Sequence, residues 1–237
     1  MKRIISIAAL STVAIVSLSS CTFVKFNKDA FEGVSSSSEL VVASKDMKTV
    51  SYDLESFTGI ESSVAADIIY IMNEGESSIK IEAPENFIDR IKYEVEDGIL
   101  RLSFDGRQSR GKVLITAQSS TLTRLNIRGS GDFDAPYGIV SPFMDIDIQG
   151  AGDIDLKGLE CLEDVSVVLR GAGDINISDL SCQKVKVEVL GAGDVDLKGV
   201  AESADLSIKG AGDIDIEGLT VVDVTTSVQG VGSIRRK

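Results

Sequence analysis

Hydrophobic residues alternate with polar ones over most of the second half of the chain. Before each of several glycine pairs, apolar residues lie two, four and six positions upstream, with polar residues between them. The same period returns after the glycines, where Ile154 and Leu156 alternate with Asp153 and Asp155. A period of two predicts β-strands with one buried face. The upstream apolar residues of four successive strands are Met144, Ile146 and Ile148; Val165, Val167 and Leu169; Val185, Val187 and Val189; and Ala204, Leu206 and Ile208.

The glycine pairs recur at an almost constant interval. Gly-x-Gly begins at positions 129, 150, 171, 191, 210 and 230, so the intervals are 21, 21, 20, 19 and 20 residues. Such self-similarity is typical of solenoids, in which each repeat buries its apolar face against its neighbours. We therefore predict an all-β fold, a right-handed parallel β-helix, whose coils of about 20 residues have a perimeter of roughly 66 Å. A second turn is predicted in each coil, at 157–158, 178–179, 198–199 and 217–218.

Residues 49–125 are also rich in strand patterns but lack the glycine punctuation, whereas residues 126–234 carry the regular coils. Asp97-Gly98 lies between two strand patterns and predicts a hairpin turn. Residues 83–90 predict a single helical turn. The end of a solenoid exposes its core and unpaired backbone groups, so a differently built cap is needed there. We assign 49–125 to irregular early coils and this cap, within one domain of residues 49–237.

The amino-acid composition narrows the chemistry. The chain of 237 residues has no histidine and no tryptophan, and its formal net charge is −13. The absence of histidine excludes the commonest general base, most zinc sites and Ser-His or Cys-His nucleophile pairs. Such an acidic chain also argues against nucleic-acid binding, which needs clustered lysine and arginine.

The first residues have the pattern of an export signal. Basic residues at positions 2 and 3 precede an apolar stretch, and residues 18–21 then match the lipobox of bacterial lipoproteins. The match implies removal of residues 1–20 and lipid attachment at Cys21, with an ordinary secretory signal as the alternative. Residues 21–48 include four consecutive serines and predict a flexible tether. We expect a lipid-anchored protein of the Gram-negative cell envelope, at the outer membrane, on either its surface or its periplasmic side.

The repeated segments carry a family resemblance. The array 127–215, with its recurring Gly-Ser/Ala-Gly-Asp, and the upstream segments 57–60 and 81–86 resemble the head GIN domain family of autotransporter-type adhesins. The resemblance covers about residues 50–234 and implies a fold similar to pectin-lyase-type β-helices without their catalytic residues. It also implies a role in cell adhesion, by analogy at the level of the fold. The last copy, Gly230-Val231-Gly232-Ser233, lacks the aspartate and is interpreted as the coil that closes the array.

Two columns of acidic residues follow from the repeat. One holds the aspartate directly after each glycine pair, and the other lies two residues later. The first aspartate can accept backbone N–H bonds at the turn, while the second marks the solvent side. The alternative is a calcium ladder, because Ca²⁺ prefers several carboxylate oxygens at short range. The candidate calcium ligands are Asp153, Asp174, Asp194 and Asp213. No cofactor other than calcium is expected. Catalysis needs one distinct pair in a cleft, so uniform recurrence predicts no catalytic residue.

Two further groups of residues are candidates for a site. Cys161 and Cys182 each lie eleven residues past their turn glycine. We predict that they stack in adjacent coils, either as a disulfide or as two buried thiols. Phe133, Tyr137 and Phe143 form a small aromatic cluster near the entrance of the repeats. The cluster is the place to look for a binding site, although capping of the core explains it equally well.

These observations predict a non-enzymatic lipoprotein of the cell envelope. It is expected to act as an adhesin or scaffold that presents repetitive strand faces to protein or glycan partners. The alternative is a glycan-binding or polysaccharide-processing β-helix that uses carboxylates and calcium.

Overall fold

A computed structural model describes residues 39–236 of the chain. They form a β-solenoid of about five turns, with coils of about 21 residues between 124 and 235, which confirms the predicted fold. The early part contains helix α1 Glu85–Ile88 and the strands β1 Leu40–Val41, β2 Met47–Asp53, β3 Gly59–Ser62, β4 Asp67–Met72, β5 Ser78–Pro84, β6 Ile91–Glu96, β7 Ile99–Phe104, β8 Arg107–Gln108 and β9 Leu114–Ser119. The regular coils contain β10 Arg124–Ile127, β11 Phe133–Ala135, β12 Ile139–Ser141, β13 Met144–Ile148, β14 Ile154–Cys161, β15 Asp164–Leu169, β16 Ile175–Val189, β17 Val195–Ile208, β18 Ile214–Asp215, β19 Leu219–Val228 and β20 Ile234–Arg235.

Parallel pairing between successive coils builds the core. β13 pairs with β15, β15 with β16, and β16 with β17, each displaced by one repeat. Equivalent apolar residues of successive coils therefore stack in columns. In one such column no member is more than 1% exposed, and burial of each aliphatic side chain contributes about 1.5–3 kcal/mol. The column runs through Leu125, Ile146, Val167, Val187 and Leu206.

Three of the predicted second turns are bends inside the long strands β14, β16 and β17, whereas the turn at 217–218 lies between β18 and β19. Gly158 and Gly199 adopt positive φ values of 119° and 137°, and Asp179 has a φ of 54°. The register between β16 and β17 shifts at the same place, between Ile177 and Leu180. Glycine adopts positive φ without steric cost, and aspartate tolerates it. These residue types therefore mark the second corner of these three coils.

The early part is threaded out of chain order. β3 and β4 form a coil that pairs with β7 and β9 on one side. On the other side the same coil pairs with β10 and β11. The chain therefore leaves the coil after β4, builds β5 to β9 at the end of the solenoid, and returns to stack β10 on β3. Local periodicity predicts these strands but not their order, because it carries no information on long-range pairing.

A cap of different construction covers this end of the solenoid. β5 pairs antiparallel with both β2 and β9, unlike the parallel coils. Helix α1 buries Phe87 and Ile88, and the Phe87 ring meets Phe104 edge-on, with ring centroids 5.1 Å apart. Asp97 and Gly98, with φ of 52° and 72°, join β6 and β7 in an antiparallel hairpin. The predicted hairpin and helical turn are thus confirmed.

The folded body begins before residue 49. β1 pairs in parallel with β8. The Asn86 side chain donates to the Val42 carbonyl at 2.8 Å and accepts the Ser44 N–H at 2.9 Å. Part of the segment predicted as a tether is therefore attached to the cap. Residues 1–38, with the predicted signal peptide and Cys21, lie outside the described residues, as does Lys237.

Candidate functional site

The aspartates that follow the glycine pairs form a continuous hydrogen-bonded ladder. Asp174 donates its backbone N–H to Asp153 Oδ1 at 2.9 Å, and its own Oδ1 accepts the N–H of Asp194 at 2.9 Å. The expectation that these residues accept backbone N–H bonds holds, but the donor belongs to the next coil. The further steps from carboxylate to N–H are Asp132 to Asp153 at 3.0 Å, Asp194 to Asp213 at 2.8 Å and Asp213 to Ser233 at 2.7 Å.

The glycines at this corner allow the coils to approach each other closely. A Cβ atom added at Gly171 would lie 1.9 Å from the carbonyl oxygen of Gly150. One added at Gly173 would lie 2.1 Å from that of Gly152. The N–H of the intervening Ala172 donates to the Gly150 carbonyl at 3.0 Å. Close approach of two backbones therefore explains why glycine recurs at the corner.

The ladder begins one coil earlier than the glycine motif indicates. Asp67 Oδ1 accepts the N–H of Asp132 at 3.3 Å across 65 residues of sequence. Residues 64–67 (Val-Ala-Ala-Asp) occupy the corner of this coil, and a Cβ atom on Gly131 would lie 2.1 Å from the Ala66 carbonyl oxygen. The sequence analysis assigned this region to irregular early coils but did not identify Asp67 as a member of the ladder. The signal that could have found it is a pair of small residues followed by aspartate and a strand.

The ladder ends at Ser233 in the last coil. Ser233 donates its N–H and its hydroxyl to Asp213 Oδ1 at 2.7 and 3.0 Å, and Arg235 donates to Asp213 Oδ2 at 2.8 Å. These contacts hold the pKa of Asp213 below its ordinary value, and the N–H of Ser233 is the largest cause. Hydrogen bonding to Asp213 in turn raises the pKa of Arg235. Serine and arginine thus close the array with a charged edge.

The second acidic column has fewer hydrogen bonds. Its members are in register across successive coils. Three of them have a buried Oδ1 without a hydrogen-bond partner among the described residues, although Asp196 accepts a bond from Lys198 on its other oxygen at 2.7 Å. Neighbouring carboxylates repel along such a column, and a neutral amide at its centre reduces the repulsion. The column consists of Asp134, Asp155, Asn176, Asp196 and Asp215.

The hypothesis of a calcium ladder finds no prepared site in residues 39–236. No group of three or more His, Cys, Asp or Glu side chains in that range is placed to hold a metal ion. Ca²⁺ takes about six to eight oxygen ligands, whereas Oδ1 of each candidate already accepts a backbone N–H bond. Calcium binding stays a hypothesis. It concerns Asp153, Asp174, Asp194 and Asp213.

Cys161 and Cys182 are free, buried thiols in the structure. They lie in adjacent coils, because Glu160 and Ser181, which precede them, are paired between β14 and β16. Burial raises the pKa of Cys161 to about 12 and that of Cys182 to about 11. Both thiols therefore remain protonated at neutral pH. This arrangement corresponds to the buried-thiol alternative, while a disulfide between them stays a prediction.

The aromatic cluster near the entrance of the repeats is divided between core and surface. Phe133 is 1% exposed and stacks on Tyr70, with ring centroids 6.4 Å apart, so it belongs to the core. Tyr137 is 79% exposed and Phe143 is 39% exposed. Val140 and Leu162 are exposed close by, and the Leu162 N–H donates to the Ser141 carbonyl in the adjacent coil. We call this exposed apolar group the corner patch; it consists of Tyr137, Val140, Phe143 and Leu162.

A shallow cleft lies where the segment 108–113 crosses the first corner of the ladder. Arg110, Lys112 and Asp67 are among its lining residues. The Gln108 side chain accepts the Ala65 N–H at 3.2 Å and donates to the Ala65 carbonyl at 2.8 Å. An amide side chain thus replaces the strand that would otherwise pair with this corner. We interpret the cleft as the junction between cap and coils.

Comparisons of sequence and of structure agree with each other. The family model described as "Putative auto-transporter adhesin, head GIN domain" matches residues 56–178 and 162–236. A crystal structure described as a putative adhesin from Bacteroides fragilis is 26% identical and has a TM-score of 0.65. It covers 83% of this chain and 100% of its own.

Two structures from Parabacteroides distasonis share the fold. One, described as a putative adhesin, is 19% identical with a TM-score of 0.75 and covers 84% of this chain and 85% of its own. The other, described as a putative lipid binding protein, is 18% identical with a TM-score of 0.68. It covers 84% of this chain and 100% of its own. A search of curated proteins finds no match. Between residues 39 and 236, no helix has the length and apolar character needed to cross a membrane.

Proposed function

Because this chain belongs to the head GIN domain family, we propose that it is a non-enzymatic adhesin of the cell envelope that binds protein or glycan partners. The similar structures described as adhesins support this role. The solenoid supplies a rigid frame on which outward side chains keep fixed positions. The net charge of −13 disfavours nucleic acid as a partner.

The exposed corner patch is the observation that carries the proposal. Tyr137 is 79% exposed and Leu162 is 67% exposed, although both sit on well-paired coils. A cluster of exposed apolar side chains on a rigid surface is typical of a contact site. Tyrosine contributes a large contact area for a small loss of conformational entropy, and its ring also stacks against sugars. The patch therefore fits a protein or glycan surface.

The aspartate columns support a non-enzymatic role. Carboxylate-based catalysis of sugar cleavage needs one acid and one base or nucleophile in different environments. The four ladder aspartates from Asp132 to Asp194 have equivalent environments, since each Oδ1 accepts an N–H from the next coil. A polysaccharide-processing function has no distinct pair in these columns on which to depend.

We further propose that lipid attachment at Cys21 holds the protein at the outer membrane. The lipobox at residues 18–21 supports this anchor. Substitution Cys21→Ser should move the protein from the membrane fraction to the soluble fraction and abolish incorporation of labelled palmitate. Protease treatment of intact cells then shows on which side of the outer membrane the protein lies. Cleavage of the wild-type chain supports display at the surface, and full protection would contradict an adhesive role.

Adhesion itself can be measured with cells that express the full chain on surfaces coated with mucin glycoprotein. Wild-type cells should adhere more strongly than cells that carry an empty vector. The double variant Tyr137→Ser, Leu162→Ser should reduce adhesion by about tenfold or more, the effect of losing roughly 1.4 kcal/mol at one contact.

The matched control is Val200→Ser. Val200 is 52% exposed on another coil, so this change removes a similar apolar side chain outside the corner patch and should leave adhesion unchanged. Equal adhesion of the double variant and the wild type would reject the corner patch as the contact site. Equal adhesion of wild-type and empty-vector cells would reject mucin-type glycoprotein as the partner class.

A further inference from the structure

The last coil leaves one long strand edge open. Among the described strands, β19 is in register only with β17. Exposed edges are normally protected by lysine, proline or bulges, because their unpaired N–H and C=O groups attract other strands. β19 has ten residues, of which Asp223 alone is charged, and it contains neither lysine nor proline. The other end of the solenoid, by contrast, is covered by helix α1 and the antiparallel strands β2 and β5.

The pairing pattern shows which backbone groups of β19 are open. Gln229 donates its N–H to the Ile208 carbonyl of the preceding coil at 2.7 Å. In a parallel pair, alternate residues direct both backbone groups towards one neighbour. Thr225 and Ser227 therefore bond to the preceding coil. In the second half of β19, the residues that direct N–H and C=O away from the solenoid are Val224, Thr226 and Val228.

The apolar core is open at the same edge. The buried column that includes Val187 and Leu206 continues into Thr226, which is exposed. Val228 is 47% exposed and Val231 is 79% exposed. The end of the solenoid thus combines outward-directed backbone N–H and C=O groups with exposed aliphatic side chains. Both features would be covered if a further β-strand paired with this edge.

We propose that a second copy of this chain pairs with β19, antiparallel and about a two-fold axis at Thr226. In this register Thr226 lies opposite Thr226 of the second copy, and Val224 lies opposite its Val228. Opposite residues of an antiparallel pair share one face of the sheet and can exchange two hydrogen bonds. All three outward-directed residues then find partners, whereas a register shifted by two residues leaves one of them unpaired. A two-fold interface of this kind is self-complementary and closed.

The charges of the last coil allow this contact. Residues 219–236 contain one acidic residue, Asp223, and two basic ones, Arg235 and Arg236. The aspartate ladder has already ended, because Ser233 and Arg235 replace the two acidic positions. In the proposed register Asp223 lies opposite Gln229, so no like charges face each other along the strand. The acidic columns of the two copies are separated by both terminal coils.

The test measures the mass of the purified full chain by light scattering over a wide range of concentration. The wild type should reach twice the mass of a single chain. Thr226→Pro removes an N–H that points away from the described coils, so the circular dichroism should remain native. Loss of the two bonds between the Thr226 residues should raise the dimer dissociation constant by about tenfold or more. The matched control Thr226→Val keeps the N–H and the branched side chain and should remain dimeric.

If the proline substitution disturbs folding, Thr226→Lys serves as a second variant. It places two ammonium groups opposite each other at the axis and should also yield single chains. Hydrogen exchange provides an independent measure, since the Thr226 amide should be protected in concentrated wild type and exchange rapidly in Thr226→Lys. A wild type that has the mass of one chain at every concentration would overturn the proposal. So would a Thr226→Lys variant that dimerises as well as the wild type.

Discussion

At the scale of single residues, the carboxylate of the ladder aspartate replaces a missing strand partner. The corner interrupts the regular backbone pairing, and an unpaired N–H costs free energy. Stacked carboxylates about 4.8 Å apart repel by about 0.9 kcal/mol per pair in water. A hydrogen bond to a charged acceptor contributes about 1.5–3 kcal/mol. The hydrogen bond therefore outweighs the repulsion, and the column of like charges is tolerated.

Substitution of Asp174 separates these two effects. Asp174→Ala removes the acceptor of the Asp194 N–H and should destabilise the protein by about 1 kcal/mol. Asp174→Asn keeps an oxygen acceptor and removes one charge from the column, so stability should change by less than about 0.5 kcal/mol. The midpoint of urea unfolding measures both. If the asparagine variant lost as much stability as the alanine variant, charge rather than hydrogen bonding would hold the ladder together.

At the scale of elements, the terminal coil differs from the others in what fixes its corner. Internal corners have a coil on each side, whereas the corner of β20 is attached from one side only. Its contacts converge on Asp213, which accepts bonds from the backbone and hydroxyl of Ser233 and from Arg235. Protonation of one carboxylate therefore weakens several contacts of the same coil.

The terminal corner should consequently open in acid. The pKa of Asp213 lies below its ordinary value of 3.8 in the folded state. Its stabilising contribution is thus complete above that value and is lost as the pH falls through the lower folded pKa. The protection factor of the Ser233 amide against hydrogen exchange should fall in this acidic range. In Asp213→Asn the protection should be lower at neutral pH and independent of acid; an equally steep acid response there would assign the opening to another group.

At the scale of the whole molecule, the described coils form a one-dimensional stack in which each coil contacts only its neighbours. Stability in such a stack is approximately a sum of terms within coils and between adjacent coils. A buried side chain in an internal coil packs against the equivalent side chains of two neighbouring coils. A side chain in the last coil packs against the equivalent side chain of one neighbouring coil. The cap covers the early end through its own helix and antiparallel strands, so the two ends differ in construction.

A valine-to-alanine pair measures this dependence on position. Val187 is fully buried between Val167 and Leu206, and Val187→Ala should cost about 2 kcal/mol through lost burial and a residual cavity. Val221 pairs with Ala201 on one side and is partly exposed, so Val221→Ala should cost less than about 1 kcal/mol. Urea unfolding compares the two variants. Equal costs would contradict the nearest-neighbour description.

The sequence alone determined the strands, the coil length and the residues of the core. A period of two in residues 144–148 and 154–156 reports which side chains are buried, because successive strand residues point to opposite faces. The constant spacing of the glycine pairs then determined that these strands wind into a solenoid. The hairpin at Asp97-Gly98 and the helical turn near Phe87 also follow from local patterns. Each of these features depends on residues close together in the chain.

The tertiary structure decided the features that join residues far apart. It placed β3 between β7 and β10 and placed β4 between β9 and β11. It also brought Asp67 to Asp132 and buried Phe133 in the core, whereas Tyr137 is exposed. It also showed that the glycines serve close contact between coils and that the aspartates bridge them. Sequence periodicity records which face of a strand is buried. It does not record which strand lies beside it, and that neighbour determines the partner of each carboxylate and the shape of each exposed surface.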